Sequence, residues 1–309
     1  MRKILAIVAA LSAALAGVPA AAEKRVALTF DDVPRFQGAF LDPDERAIRL
    51  IAGLAEAGVE QAAFFVTAGN LDQPGGEGGE ARIRAYAAAG HVLANHSYSH
   101  TSLNVVEATD YLADLDRTSA WLADKPNTRA WFRYPYLHEG ATQERRDGVR
   151  VGLAQRGLMN AYVTIDNYDW AIDNLANEAA RQGRAIDREA LGELYVETLV
   201  QAAEFSDRIA LETLGRSTAH VLLLHETDLN AMHIGDLVRG LREAGWTIVT
   251  ADEAFADPIH LREPDTLFLG GGRVTALAHE AGRPARELVH PRTDEAVLKQ
   301  LFEERVIVR

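Results

Sequence analysis

Seven segments with the composition of buried β-strands alternate with helical patterns along the chain, and this alternation limits the folds that it can adopt. The strand-like segments are 25–30, 61–66, 91–96, 129–135, 160–166, 220–225 and 246–250. Gly90, Gly157 and Gly245 follow three of the helical patterns, where helices usually end. Strands that alternate with helices pair in parallel through right-handed crossovers. We therefore predict an α/β fold, either an open doubly wound sheet or a (β/α) barrel.

The first 22 residues fall outside this alternation. They combine a basic start (Arg2 and Lys3), a short Ala-rich apolar run and a small-residue tail. This is the pattern of a secretory signal peptide, and we expect cleavage near Ala20 or Ala22. The apolar run is short for a transmembrane helix, although an uncleaved N-terminal anchor is the alternative. We therefore expect an exported protein, periplasmic or secreted.

The C-terminal residues also break the rhythm. Residues 258–309 are interrupted by glycine and proline and end in one helical pattern over 293–306. We predict a barrel domain at 23–257, with an insert at 171–219, and a C-terminal extension at 258–309 that packs on the barrel.

Composition excludes several classes of site and partner. The chain has no cysteine, so thiolate metal sites and cysteine nucleophiles are excluded. The formal net charge is −13, and cleavage after residue 22 would remove Arg2 and Lys3 and make the net charge −15. So acidic a protein repels nucleic acid and anionic lipid. Beyond the first 22 residues we see no segment that could span a membrane, so we expect no stable membrane insertion; the oligomeric state stays open.

Chemically active side chains follow the predicted strands. They are Asp31 and Asp32 after the first, His96 and His100 after the third, Arg133 in the fourth, Asp166 and Asp169 after the fifth and His225 at the end of the sixth. In a (β/α) barrel these strand ends meet on one face, where active sites are built.

The residue types at these strand ends suit metal-assisted hydrolysis. His96 and His100 are four residues apart, and on a helix such positions share a face. Two imidazoles and one carboxylate form a three-ligand site that leaves a divalent metal open to water or substrate. A further carboxylate could act as a base and a further histidine as an acid.

Five short motifs carry a family resemblance. They are TFDD (29–32), HSYSH (96–100), RYPY (133–136), DNYDW (166–170) and LLLH (222–225). In this order they resemble the five motifs of the NodB-like polysaccharide deacetylases (carbohydrate esterase family 4), which remove N- or O-acetyl groups from glycans. The resemblance extends over about 25–256. It implies a distorted (β/α) barrel, in agreement with the count of about seven strands.

The resemblance implies the metal ligands and the base. Asp32, His96 and His100 would hold the metal, for which we expect Zn²⁺, with Co²⁺ or another divalent ion as the alternative. Asp31 would be the catalytic base, and Arg133 would pair with it.

The resemblance also implies the acid and the substrate pocket. His225 would be the general acid, and an aspartate of DNYDW would orient it; we favour Asp169 over Asp166. The backbone N–H of Tyr136 would stabilise the oxyanion. We expect the pocket residues to be Trp170, Leu223 and Tyr98.

The chain departs from the family pattern in two places. The usual TFDDGP reads TFDDVP here, so Val33 stands where glycine would tolerate a positive φ. We therefore expect the loop after the first strand to run differently. The insert at 171–219 and the extension at 258–309 could both reshape the cleft, so the particular polymer cannot be carried over.

The sequence thus predicts an exported, metal-dependent hydrolase of non-peptide C–N bonds that removes acetyl groups, N-acetyl first, from a glycan such as chito-oligosaccharide or peptidoglycan. One alternative is an O-acetyl esterase acting on a polysaccharide. Two others are a non-catalytic, metal-containing glycan-binding protein and an Fe(II) oxygenase, which can use the same ligand set. The predicted base and acid argue against these last two.

Overall fold

The computed structural model describes residues 23–268 and 270–308, so the predicted signal peptide lies outside the described residues. Within these ranges, one sheet of seven strands is formed by β1 (Lys24–Val33), β2 (Ala63–Val66), β3 (Val92–Asn95), β4 (Thr128–Phe132), β5 (Met159–Asn160), β6 (Ala219–His225) and β7 (Trp246–Ile248). The strand order is β5-β4-β3-β2-β1-β6, and β7 pairs with the start of β1. All of these pairings are parallel.

The segment after β5 curls this sheet into a distorted barrel. The N–H of Ala161 donates to the carbonyl of Phe132 in β4 at 2.8 Å, and the N–H of Leu223 in β6 donates to the carbonyl of Ile165 at 3.1 Å. One short segment therefore links the two ends of the strand order. The predicted barrel of about seven strands is confirmed, and the open-sheet alternative is not.

The helices follow the predicted alternation. They are α1 (Pro43–Glu56), α2 (Gly79–Ala88), α3 (Ala108–Leu122), α4 (Gln143–Gln155), α5 (Asp169–Arg181), α6 (Arg188–Leu214), α7 (Asp228–Glu243), α8 (Ala251–Phe255), α9 (Arg273–Glu280) and α10 (Glu295–Arg305). Local sequence sets several of their ends: the Asp42 side chain caps α1 and the Thr142 side chain caps α4. None of these described helices has the length and apolar composition needed to cross a membrane.

Alternation along β1 separates two apolar layers and directs polar groups to the barrel mouth. Val26, Leu28 and Phe30 pack with the surrounding helices, whereas Ala27 packs with the residues that fill the barrel. Because side chains alternate along a strand, Asp31 lies on the same side as Ala27. The last interior position of β1 is therefore a carboxylate.

Two predicted strands end earlier than expected. The fourth ends at Phe132, because Pro135–Leu137 forms a 3-10 turn in which Tyr136 has φ 58°. The fifth is regular only over Met159–Asn160, because the chain then turns to bridge β6 at Ile165. Both departures lie at the barrel mouth.

The chain after the first strand departs from the family pattern at Asp32 and Val33, where we expected a different loop. β1 continues through Val33, which is fully buried and pairs with Val66. The positive φ falls one residue earlier, at Asp32 (64°). A β-branched residue fits at position 33 because that position is extended strand.

The C-terminal helices pack on the insert rather than directly on the strands. α9 packs on α6, and α10 packs on α5 and α6. The start of α9 reaches the barrel, where the N–H of Arg273 donates to the carbonyl of Val163 at 2.7 Å. The predicted domain boundaries stay a prediction.

Candidate active site

All of the predicted site residues except Tyr98 gather at one cleft of about 530 Å³ at the carboxyl ends of the strands. Those that line it are Asp31, Asp32, His96, His100, Tyr136, Asp166, Trp170, Leu223 and His225. Arg133 and Asp169 are fully buried and contact lining residues. A groove of about 1040 Å³ between α1 and α7 is larger, but it contains none of the predicted residues.

Asp32, His96 and His100 converge on one point. Their ligand atoms all lie within 4.8 Å of one another, and Asp32 Oδ1 is 2.9 Å from His100 Nε2 and 3.5 Å from His96 Nε2. Two ligands about 2.1 Å from a tetrahedral metal are roughly 3.4 Å apart, so these separations suit a shared cation. Asp32 Oδ1 is buried and has no well-oriented hydrogen-bond donor. The three residues therefore fit a divalent metal.

The charge state of Asp32 suits this role. Burial raises the pKa of its carboxyl group, but His100 and His96 outweigh burial and hold that pKa well below the ordinary value. Asp32 is therefore an anion at neutral pH, as a ligand carboxylate must be.

The two histidines do not converge through a helix. The chain from His96 to His100 is a turn, in which Ser97 and His100 have φ of 66° and 54°. His96 Nδ1 lies 2.9 Å from the carbonyl oxygen of Arg133, which can only accept, so this nitrogen carries the proton. Nε2 is left free to act as a ligand. The helical interpretation of the four-residue spacing is wrong, although both rings reach the site.

Asp31 is oriented by Arg133. The guanidinium donates from Nη1 to Asp31 Oδ1 at 2.6 Å and to Thr29 Oγ1 at 2.8 Å, and from Nε to the carbonyl of Ala161 at 2.9 Å. Burial lowers the pKa of Arg133, while Asp31 opposes that effect. Asp31 Oδ2 lies 3.7 Å from His96 Nε2. One carboxylate oxygen is thus anchored and the other faces the candidate metal site.

His225 is paired with Asp169. Its Nδ1 is 2.7 Å from Asp169 Oδ1, while Asp169 Oδ2 accepts from the N–H of His225 at 2.8 Å and from Asn230 Nδ2 at 2.7 Å. Burial lowers the pKa of His225, but the Asp169 carboxylate outweighs burial and the pKa rises to about 9. Asp166 lines the same cleft, and burial raises its pKa to about 6. The contact to His225 is made by Asp169, the aspartate that we favoured.

Two of the predicted pocket residues, Trp170 and Leu223, lie at the cleft together with the ring of Tyr136. Tyr136 is 59 % exposed, and its ring centre is 4.5 Å from that of His100. Leu223 is buried and Trp170 is half-buried, and both line the cleft with His225. These side chains form an apolar wall beside the polar groups.

Tyr98 does not line the cleft, contrary to expectation. Its hydroxyl bonds to Asp72, and the guanidinium of Arg117 lies 3.3 Å from its ring centre. The left-handed turn at Ser97, together with the bond from the Tyr98 N–H to Asp114, directs this side chain elsewhere. In such a turn, side chains do not alternate between two faces, so the position of Tyr98 within HSYSH does not predict the direction of its side chain.

Sequence reasoning missed several cleft residues. They are Arg35, Leu137, His138 and Asn174. Arg35 and His138 each lie within three residues of a motif, so proximity to TFDD and RYPY was the available signal. His138 bonds through Nδ1 to Ser102 Oγ at 2.7 Å.

Comparisons with known proteins agree with this architecture. Residues 19–151 match the sequence model of the polysaccharide deacetylase family. The polysaccharide deacetylase Bc1974 from Bacillus cereus is similar in structure, with 18% identity, a TM-score of 0.52, and coverage of 74% of this chain and 92% of that chain. A mutant of BA3943, a CE4 family pseudoenzyme, gives 17% identity, a TM-score of 0.50, and coverage of 75% and 67%.

A further similar structure is a family 4 carbohydrate esterase from Streptomyces lividans in complex with acetate. It gives 20% identity and a TM-score of 0.49, and the match covers 76% of this chain and 97% of that chain. None of the curated proteins compared with this chain matches it. At these identities, likeness to solved structures establishes the fold alone.

The family match confirms the resemblance carried by the motifs. Residues 19–151 carry the polysaccharide deacetylase match, and the fold is the NodB-like barrel of the similar solved structures.

Proposed function

We propose that this protein is an exported, metal-dependent deacetylase that hydrolyses the N-acetyl amide of a glycan such as chito-oligosaccharide or peptidoglycan. The observation that carries the proposal is the convergence of three groups on one cleft. These are the ligand set Asp32, His96 and His100, the anchored carboxylate Asp31, and the His225–Asp169 pair. Metal-assisted hydrolysis of an amide uses these three functions together.

The metal would be held by Asp32, His96 and His100, and Zn²⁺ is our choice, with Co²⁺ as the alternative. When bound, such an ion polarises the acetyl carbonyl and lowers the pKa of water. Asp31 accepts the proton of the attacking water, and Arg133 keeps the accepting oxygen directed into the cleft. Asp31 Oδ2 is the oxygen that the geometry leaves for this step.

Breakdown of the tetrahedral intermediate requires an acid, because an amine leaves poorly unless it is protonated. With a pKa of about 9, His225 carries a proton at neutral pH. Asp169 holds Nδ1, so Nε2 is the nitrogen that donates to the departing amine. The backbone N–H of Tyr136 would donate to the oxyanion. An acid that is protonated at neutral pH suits the departure of an amine, so it favours amide over ester hydrolysis.

Acetate release by the purified protein tests the proposal. The substrates are acetylated chito-oligosaccharides, peptidoglycan fragments and acetylated xylan, each with chelator and with added Zn²⁺. We expect chelator-sensitive release from an N-acetylated substrate. Release from acetylated xylan alone would favour an O-acetyl esterase. No release by a metal-loaded protein would favour the glycan-binding alternative.

Two substitutions test the roles within this function. Asp31→Asn and His225→Ala should each lower kcat at least 100-fold while the circular dichroism spectrum stays unchanged. Retention of most activity by either variant would refute the corresponding role.

The proposed location outside the cytoplasm is supported by the pattern of the first 22 residues. Expressed in full in its host, the protein should be found in the periplasm or medium, with an N-terminus just after Ala20 or Ala22. An intact N-terminus in the cytoplasmic fraction would refute this part of the proposal.

A further inference from the structure

A residue outside the five motifs fixes the second carboxylate oxygen of Asp32. Arg35 Nη1 donates to Asp32 Oδ2 at 2.8 Å. The other oxygen, Oδ1, is the one that faces His96 and His100. A carboxylate turns as a rigid unit about one bond, so a partner on Oδ2 also sets the direction of Oδ1. The bond to Arg35 therefore determines where the ligand oxygen points.

Arg35 is itself held by buried groups. Its N–H donates to Glu226 Oε2 at 2.6 Å, and its carbonyl accepts from Arg46 Nη1 at 3.4 Å. Glu226 is 1 % exposed, and its other oxygen accepts from the hydroxyl of Tyr86 at 2.6 Å. Glu226 also follows His225 directly in the chain. The end of β6 thus carries the proposed acid and the anchor for Arg35 side by side.

The backbone of Asp32 gives this side-chain contact added weight. Asp32 has φ 64°, a conformation that costs free energy for a residue other than glycine. The neighbouring Val33 is locked into the strand. Neither residue can adjust freely to bring the carboxylate into register, so the side-chain bond to Arg35 makes the final adjustment.

We propose that Arg35 is a positioning residue for the metal ligand Asp32, directing its Oδ1 toward His96 and His100. The inference rests on the proposed metal site. Partners that orient metal ligands typically contribute about 10- to 100-fold to metal affinity. The stabilisation from the ion pair alone is small, because both side chains are partly exposed and are screened by solvent.

A positive charge near the site also has the opposite effect, since it repels a cation. Removal of Arg35 therefore changes the metal affinity in opposite directions through the two effects. Loss of orientation weakens metal binding, whereas loss of repulsion strengthens it. The direction of the change therefore distinguishes positioning from a simple charge effect.

The test is titration calorimetry of the metal-free protein with Zn²⁺, and with Co²⁺ as a spectroscopic probe. We compare the wild type with Arg35→Met, Arg35→Lys and the control Arg49→Met. Arg49 is an exposed arginine of α1 that pairs with Glu45. Thermal unfolding of each metal-free variant shows whether its fold is intact.

We expect Arg35→Met to raise the Kd about 10- to 100-fold and to change the visible spectrum of bound Co²⁺. Arg35→Lys keeps a donor on the same stem and should recover most of the affinity, and Arg49→Met should match the wild type. Equal or tighter binding by a folded Arg35→Met variant would overturn the inference while leaving the metal site standing. Failure of the wild type to bind either metal would overturn both.

Discussion

At the scale of single residues, Asp169 controls the proton on His225. The buried carboxylate is the principal group that raises the pKa of this histidine against the effect of burial, to about 9. The protonated form is the active one in our proposal, so activity should fall as pH rises through about 9. Asp169→Asn removes the largest effect that opposes burial and leaves only the weaker one from Asp32, so the alkaline limb of the kcat/KM profile should move to lower pH.

A matched control exists for this substitution. Asp207 forms a second buried pair with a histidine, at 3.3 Å from His220 Nε2, outside the cleft. Asp207→Asn should lower stability but leave the alkaline limb in place. If the alkaline limb of the kcat/KM profile of Asp169→Asn is unchanged, His225 is not the titrating acid.

Single residues also mark how far the sequence could be interpreted. Carboxylates and imidazoles at strand ends could be predicted, because parallel strands bring their ends together whatever the loop details. The direction of Tyr98 could not, since a left-handed turn at Ser97 breaks the alternation. Arg35 lies three residues after TFDD, but this proximity does not indicate a role, which only its contact with Asp32 reveals.

At the scale of elements, the candidate metal site joins two parts of the fold. Asp32 lies in β1, whereas His96 and His100 lie in the turn after β3. A ligand that binds only the folded state stabilises it by about 2.7 kcal/mol at a concentration 100 times its Kd. Added Zn²⁺ should therefore raise the thermal midpoint, and a chelator should reverse the rise.

Two histidine variants separate this effect from adventitious binding. His100→Ala removes a ligand and should abolish the thermal shift. His138→Ala removes a cleft histidine outside the ligand set and should keep it. An equal shift in both variants would place the metal elsewhere.

The turn that carries Tyr136 is supported by the C-terminal extension. Glu139 follows this turn and is 7 % exposed. It accepts from Arg273 Nη2 at 3.0 Å, from Arg150 Nη2 at 2.7 Å and from Asn160 Nδ2 at 2.7 Å. Burial raises the pKa of Glu139, but Arg273 and Arg150 outweigh it and hold that pKa below the ordinary value. The guanidinium of Arg273 in α9 thus stabilises the buried, ionised carboxylate of Glu139 beside the active site.

Loss of the Arg273 charge should lower the free energy of unfolding. Arg273→Met leaves the buried carboxylate with one guanidinium, so we expect about 3 kcal/mol of destabilisation at pH 7, measured by urea unfolding. The favourable pairing is fully present above the unfolded pKa of Glu139 and is lost as pH falls through the lower folded value. The difference from the wild type should therefore shrink in acid. A constant difference across that range would exclude Glu139 as its cause.

At the scale of the whole molecule, the sequence indicated the barrel but not how the extension is built into it. The strand and helix patterns are local, and β1 and β6 lie close to the predicted segments 25–30 and 220–225. The packing of α9 on α6 and of α10 on α5 depends on contacts between distant segments, which no local pattern encodes. The predicted boundary at residue 257 follows the change in pattern and takes no account of this packing.

Truncation at that boundary tests whether 23–257 is an independent unit. In the extension, Leu298 and Phe302 are buried in the main core, while Leu277 packs with Ile209 of α6. Burial of each such side chain contributes about 1.5–3 kcal/mol, so loss of these three removes about 4.5–9 kcal/mol, which is comparable to the stability of a typical domain, about 5–15 kcal/mol.

Removal of 258–309 would also take Arg273 away from Glu139. We expect the fragment 23–257 to lack cooperative thermal unfolding and to aggregate, whereas 23–309 unfolds in one transition. If the fragment is soluble and unfolds cooperatively with the same thermal midpoint as 23–309, the extension is a separate unit that the barrel does not need for folding. The buried contacts favour the first outcome, in which the barrel and its extension fold as one unit.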